Sequence, residues 1–223
     1  VSIKSYIGQP LFHEDGSLFG TLCAIDPQTK SEAIIQEVEL IELFGNLLSN
    51  ILQAELRQNE QIRQCERLEA EALRDGLTGL YNRRAWEQLV NAEEERCKRY
   101  GHPTAVFFID LNNLKKVNDS LGHNKGDDLI QQAAHVLRDT ARSNDIVARF
   151  GGDEFVILSV ENDEMGAKLL LNRIKEALAQ AEICAAIGVA MRHPTHGLFK
   201  AIIDADQKMF EHKRQIKSED QKI

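Results

Sequence analysis

"RFGGDEFVIL" (149–158) sets two glycines and two acids in the middle of what otherwise reads as one β-hairpin. Phe150 lies on one side, and Phe155, Val156, Ile157 and Leu158 lie on the other. The Gly151-Gly152 pair permits a tight primed turn and lets another group approach the backbone closely. A buried strand has no use for adjacent carboxylates, so Asp153 and Glu154 call for a chemical reason.

Upstream, "TAVFFIDL" (104–111) reads as a buried strand that ends in Asp110. An acid at a strand exit is often only a cap for the next helix. If the hairpin pairs beside this strand, however, Asp110, Asp153 and Glu154 converge at one sheet edge. Such a cluster repels itself unless it holds a cation, and hard oxygen ligands with room for water and phosphate oxygens suit Mg²⁺, with Mn²⁺ as the substitute. The bland alternative is a solvated turn with incidental acids.

The neighbouring residues favour a nucleotide. Lys115 and Lys116 start a helical turn just after Asp110, where cations and free backbone N–H groups hold phosphates. Asn118 and Asp127 follow. An amide plus a carboxylate can read guanine, whose ring N–H and exocyclic amine both donate, whereas adenine offers no such pair. Lys213 and Lys217 lie one helical turn apart and are within reach of a triphosphate.

Around this centre the chain divides into three zones. Residues 3–25 carry β-type residues about a turn at "HEDGSL", where Asp15-Gly16 signals a hairpin. From about Ser31 to Arg74 there is no proline, Gly45 is the only glycine, and Ile34, Val38, Ile41, Leu48, Ile51 and Leu52 recur at threes and fours. This predicts an amphipathic helix of roughly 60 Å, thinly apolar enough to want a partner in a two-stranded coiled coil. From Asp75 onward strands and helices interleave. Asn82 caps a helix to Tyr100, a short helix covers "NLKKVNDSL", and a longer one runs from Asp127 to about Arg142. After the hairpin come a helix across 164–180, a strand at 183–192 and a closing helix near 198–214. One explicit hairpin among alternating elements implies an α/β (α+β) fold with a mixed sheet wrapped by helices.

Bulk properties narrow the partners. The 223 residues are 43% hydrophobic and 28% charged, with a net charge of -8. That balance argues against nucleic acid or an anionic membrane as the main partner, but not against a nucleotide. No apolar run approaches a bilayer span, and no signal peptide opens the chain. Cys23, Cys65, Cys97 and Cys184 form no CxxC pair, which fits reduced thiols in the cytoplasm. The chain opens at Val1 in mid-pattern, as a fragment would.

Three motifs in order, "DGLTGLYNRR" (75–84), "DLNNLKKVNDSLGHNKGDD" (110–128) and "RFGGDEF" (149–155), resemble the GGDEF family of diguanylate cyclases over 75–216. The resemblance implies a nucleotidyl-cyclase or polymerase-palm fold of about five strands, and condensation of two GTP into cyclic di-GMP with release of pyrophosphate. It implies Mg²⁺ ligation by Asp110, Asp153 and the backbone carbonyl of Leu111. Asp153 matches the general base and Glu154 completes the acidic turn. Asn118 and Asp127 match the guanine pair, and Lys115 and Lys213 the phosphate contacts. Three positions depart from the pattern. Asn112 stands where many members have Asp, Leu114 where many have Phe, and Lys217 replaces the arginine of the closing motif, keeping the charge but losing the bidentate fork. Arg142 and Asp145 form an R-x-x-D nine residues ahead of Gly151, the register of the family's inhibitory product site. Their bland role is to cap a helix end.

The opening "SYIGQPLFHEDGSLFGTLCAID" resembles, more loosely, the last strands of a GAF sensory domain. The expected organisation is therefore a partial GAF-like domain over 1–30, a signalling helix over 31–74 that joins two copies, and a cyclase domain over 75–223. Two other classes stay open: a degenerate module that binds GTP or cyclic di-GMP without turnover, and a purely structural dimerisation unit. The intact set Asp110, Asn118, Asp127, Asp153 and Glu154 argues for the enzyme.

Overall fold

The structure, a computed structural model, describes residues 3–13, 15–30 and 38–220. The chain forms two compact units, Val1–Ala70 and Glu71–Ile223.

In the first unit, β1 (Ser5–Phe12) and β2 (Leu18–Asp26) pair antiparallel. The predicted Asp15-Gly16 turn closes them. Gly16 has φ 80°, and Asp15 Oδ1 accepts from the Ser17 amide at 2.9 Å and its hydroxyl at 2.6 Å. The long helix α1 covers Val38–Ala72, 35 residues or about 52 Å. It stops two residues before the expected Arg74, and the expected start at 31–37 lies outside the described residues. Gly45 lets α1 approach the hairpin: a Cβ there would stand 2.3 Å from Gln9 Cγ.

The second unit is built on five strands, β3 (Tyr81–Asn82), β4 (Ala105–Leu111), β5 (Ile146–Gly151), β6 (Glu154–Ser159) and β7 (Ala185–Met191), in the order β3-β5-β6-β4-β7. Only β3–β5 is parallel. Every residue of β4 is buried, because helices cover both faces of the sheet. On one face Phe107, Ile109, Phe155 and Ile157 pack against α4 (His123–Thr140) and α5 (Glu164–Gln180). On the other, Val106, Phe108, Val156 and Leu158 pack against α2 (Arg83–Tyr100) and α6 (Gly197–Asp220). The short α3 (Leu114–Leu121) lies between β4 and α4 in the chain.

Local signals explain most boundaries. Asn82 Oδ1 accepts from the Ala85 amide at 3.0 Å, Asp163 caps α5 through the Gly166 amide at 2.8 Å, and Gly101 ends α2 in the left-handed region at φ 73°. Two predicted boundaries were short. The helix expected from Asp127 begins at His123, since Gly122 at φ 86° turns α3 directly into α4. The closing helix runs on to Asp220 rather than ending near 214.

Candidate active site

Pairing of β6 with β4 sets Asp110 opposite Glu154 across the ladder, and the Leu111 amide donates to the Asp153 carbonyl at 3.0 Å. The three acids therefore meet at one end of the sheet, as the sequence implied. The turn that presents them is not the type with both central residues at positive φ. Its central residues are Gly152 and Asp153, and positive φ falls on Gly151 (143°) and Gly152 (54°). Phe150 is accommodated by a register shift between Arg149 and Gly151, and it packs edge-on against Trp86 and Phe108. Space beside both glycines is open, as close approach of a ligand requires.

An arginine that sequence reasoning passed over holds this turn. Arg149 donates from Nη2 to the Gly152 carbonyl at 2.9 Å and from Nη1 to both oxygens of Asp75 at 3.1 and 3.2 Å. Asp75 itself accepts from the Thr78 amide and hydroxyl. Burial works against its charged form, but Thr78 and Arg149 outweigh it and hold the carboxyl below the usual aspartate range. Asp75 lies in the first quoted motif; nothing in its neighbourhood signalled a partner 74 residues away.

Like-charge crowding shows in the acids. Burial pushes the Asp110 carboxyl above its ordinary range, opposed by Lys213 and reinforced by Asp153. Partial enclosure also raises Glu154, with Asp110, Asp153 and Asp206 adding to it. Asp206, on α6, is a fourth acid of this neighbourhood that the sequence did not flag. Asp110 does not face the cluster bare: Lys213 Nζ lies 2.5 and 2.6 Å from its two oxygens. Accordingly, among the described residues no three His, Cys, Asp or Glu side chains stand ready around one point for a metal. The groups able to hold a hard cation here are the Asp110 and Asp153 carboxylates and the Leu111 carbonyl.

A cleft of about 340 Å³ opens beside Asp153, lined by Lys115, Lys116, Lys213 and Lys217 together with Asn112 and Asp119. Four lysines in one concavity suit a polyphosphate. Lys213 reaches it because α6 lies on β7 backbone to backbone: a Cβ on Gly188 would stand 2.0 Å from the Ala205 carbonyl oxygen. Asn118 and Asp127 do not line this cleft. They lie on α3 and at the start of α4, where Asn118 Oδ1 is buried without a hydrogen-bond partner and Asp127 is exposed. The Asn112 side-chain nitrogen is likewise buried and unpartnered.

The R-x-x-D pair lies elsewhere, in a cleft of about 760 Å³ shared with Arg96, Glu93 and Glu161. Asp145 performs the capping role: Oδ2 accepts from the Arg142 amide at 2.9 Å, and Oδ1 from Ser159 Oγ at 3.0 Å and the Val160 amide at 3.2 Å. The Arg142 side chain is exposed.

Residues 72–219 match the family model described as diguanylate cyclase, GGDEF domain. The chain belongs to the GGDEF family. DgcP, a diguanylate cyclase of Escherichia coli K12, is 32% identical over 179 residues, covering 80% of this chain and 52% of that protein. The diguanylate cyclase DosC of the same strain is 36% identical over 114 residues, 51% of this chain and 25% of its own length. The chain thus spans about half of DgcP and a quarter of DosC. Among solved structures, the coiled coil and GGDEF domain of DgcB from Caulobacter crescentus, in complex with c-di-GMP, superposes with TM-score 0.70 at 22% identity, covering 76% of this chain and 95% of that one. At that identity the likeness concerns the fold of the GGDEF domain and its preceding helix. No helix among the described residues is long and apolar enough to cross a membrane.

Proposed function

We propose that this chain is a diguanylate cyclase that condenses two GTP into cyclic di-GMP and two pyrophosphates. The observation that carries the reading is the lysine-lined cleft opening onto the Asp110 and Asp153 end of the sheet. The relatives' activity, stated in their names, agrees with it.

In this reading the triphosphate occupies the cleft against Lys115, Lys116 and Lys217. Guanine lies over α3 and the start of α4, where its exocyclic amine gives the buried Asn118 Oδ1 the donor it lacks and Asp127 accepts the remaining N–H. Asp110, Asp153 and the Leu111 carbonyl hold Mg²⁺ or Mn²⁺, which when bound neutralises phosphate charge and lowers the repulsion among the acids. Asp153 accepts the proton of a 3′-hydroxyl supplied by the nucleotide of a second copy. That oxygen bonds to the α-phosphorus as the α–β phosphate bridge breaks, and the lysines stabilise the departing pyrophosphate. One domain holds one nucleotide, so two must face each other. α1 is the element that joins them, and the hairpin β1–β2 is the end of a GAF-type sensor feeding it. Arg142 and Asp145 form a product site. The Arg142 guanidinium contacts base or phosphate, and Asp145, already capping, contributes its remaining acceptor capacity.

The test is incubation of the purified chain with GTP and Mg²⁺ and mass analysis of the products. Cyclic di-GMP with two pyrophosphates per product is expected. Nucleotide binding with no turnover in the dimeric chain would overturn the enzymatic reading and leave a sensor.

A further inference from the structure

The ion pair between Lys213 and Asp110 sits where the metal reading needs an open carboxylate. Lys213 Nζ spans both Asp110 oxygens at 2.5 and 2.6 Å, with side-chain exposures of 24% for the lysine and 7% for the aspartate. Lys217, one turn further along the same helix, lines the cleft and acts on Asp110 through its charge rather than through a hydrogen bond. The two lysines therefore differ. Both line the cleft, but only Lys213 is bonded to Asp110. A buried carboxylate deprived of its counter-ion is costly, so an ammonium at Asp110 is released only when something replaces it. A lysine stem is flexible, and its three donors exchange a carboxylate for a phosphate oxygen without loss of charge-assisted bonding.

We infer that Lys213 is an internal counter-ion, which occupies Asp110 in the nucleotide-free protein and yields it to the metal only when a triphosphate offers the ammonium another anion. This rests on Asp110 being a metal ligand. Its consequence is that metal and nucleotide bind with positive coupling, each raising the affinity of the other by the same factor. Free divalent cation alone does not fill the site, because it must first displace a charge the protein itself supplies.

Mn²⁺ serves as the probe, its binding measured by electron paramagnetic resonance on the nucleotide-free dimeric chain and again with a GTP analogue methylene-bridged between the α and β phosphorus. Lys213→Met should tighten nucleotide-free Mn²⁺ binding about tenfold and shrink the coupling to the analogue. Lys217→Met removes the same charge from the cleft and a longer-range attraction for Asp110 but no hydrogen bond to it, so its effect should stay within about threefold. Unchanged Mn²⁺ affinity in Lys213→Met, or equal gains in both variants, overturns the inference. Adding Asp110→Asn to Lys213→Met should abolish the gain. Its persistence would show that Asp110 is no ligand and that the metal assignment has failed first. The parent chain gives a check free of any folding defect. The ¹⁵N-ammonium resonance of Lys213 must shift when the analogue and Mg²⁺ are added together, and an unmoved resonance overturns the inference.

Discussion

A Cβ built on Gly126 would stand 1.9 Å from Asn118 Oδ1, the buried oxygen that lacks a donor. This glycine therefore leaves the room that the Asn118 amide occupies, and under the proposed function it backs the guanine site. Gly126→Ala should push the Asn118 amide aside and raise the KM for GTP about tenfold, with kcat less affected and the circular dichroism spectrum unchanged; an unaltered KM would dissociate Asn118 from the base. Asp127 is exposed and free of packing duties, so Asp127→Ala should cost selectivity rather than stability. Leaving a guanine donor unpaired in the complex corresponds to about 1–3 kcal/mol, or roughly 5- to 150-fold in the GTP over ATP preference. Competitive binding of the two nucleotides measures it directly. The sequence suggests Asn118 and Asp127 as a pair because an amide plus a carboxylate matches guanine's two donors. It does not suggest the role of Gly126, since only the packing of α3 against α4 brings it to Asn118.

The elements were legible where the signal is local and obscure where it is distant. Asn82, Asp163 and Gly101 mark helix ends within a few residues, and the apolar run 104–111 announces a buried strand. The ties between elements carry no such mark. Arg149 joins β5 to Asp75, and Lys213 joins α6 to a strand 103 residues away. Arg149→Ala should free the turn bearing Asp153 from both Asp75 and its own Gly152 carbonyl. Turnover should fall by at least tenfold while GTP affinity changes little, seen as a drop in kcat at near-constant KM. A second tie, from α2 to the residue after β7 and to the start of α6, predicts an acid-side response. Glu94 accepts a fork from Arg192 at 2.8 and 2.9 Å and the Leu198 amide at 2.8 Å. Arg192 first, and Leu198 with it, hold the Glu94 carboxyl below the glutamate range against the opposing effect of burial. A depressed folded-state value means the stabilisation is complete above the ordinary glutamate value of about 4.3 and is lost as pH falls through the folded one. Glu94→Gln should lower unfolding stability at pH 7 by about 2–3 kcal/mol and flatten its decline as pH falls below the ordinary glutamate value of about 4.3. Urea denaturation across that window gives the comparison, and parallel curves for the two proteins would contradict the assignment.

At the scale of the whole molecule, α1 leaves one side uncovered. Gly45 and Gln53 face the β1–β2 hairpin, the latter donating to the Phe12 carbonyl at 2.6 Å. The other side carries Leu40, Phe44, Leu47, Ile51 and Ala54, then Gln58, Gln61, Cys65, Leu68 and Ala72. All ten are exposed, and their spacing alternates four and three throughout. That is a heptad seam, interrupted by two glutamine layers and continued up to the helix end. A single chain gains nothing from exposing such a row, which a second copy of the chain would cover. The chemistry adds a direction. The proposed condensation needs two domains at the same end of such a pair, which asks for helices that run parallel and in register. In that arrangement Cys65 of each copy occupies the same core layer, with Cα atoms near the separation of about 4.4–6.8 Å that a disulfide spans. Mild oxidation should therefore link the chains covalently through Cys65, and Cys65→Ser should abolish the link although Cys23 and Cys184 are also exposed. Leu47→Glu puts a charge into the upper seam and should weaken dimerisation by at least tenfold in sedimentation, with cyclisation per chain falling steeply on dilution. An antiparallel pair would keep the dimer but leave the two Cys65 thiols far apart, so a dimer that resists this cross-link would exclude the register on which face-to-face catalysis depends.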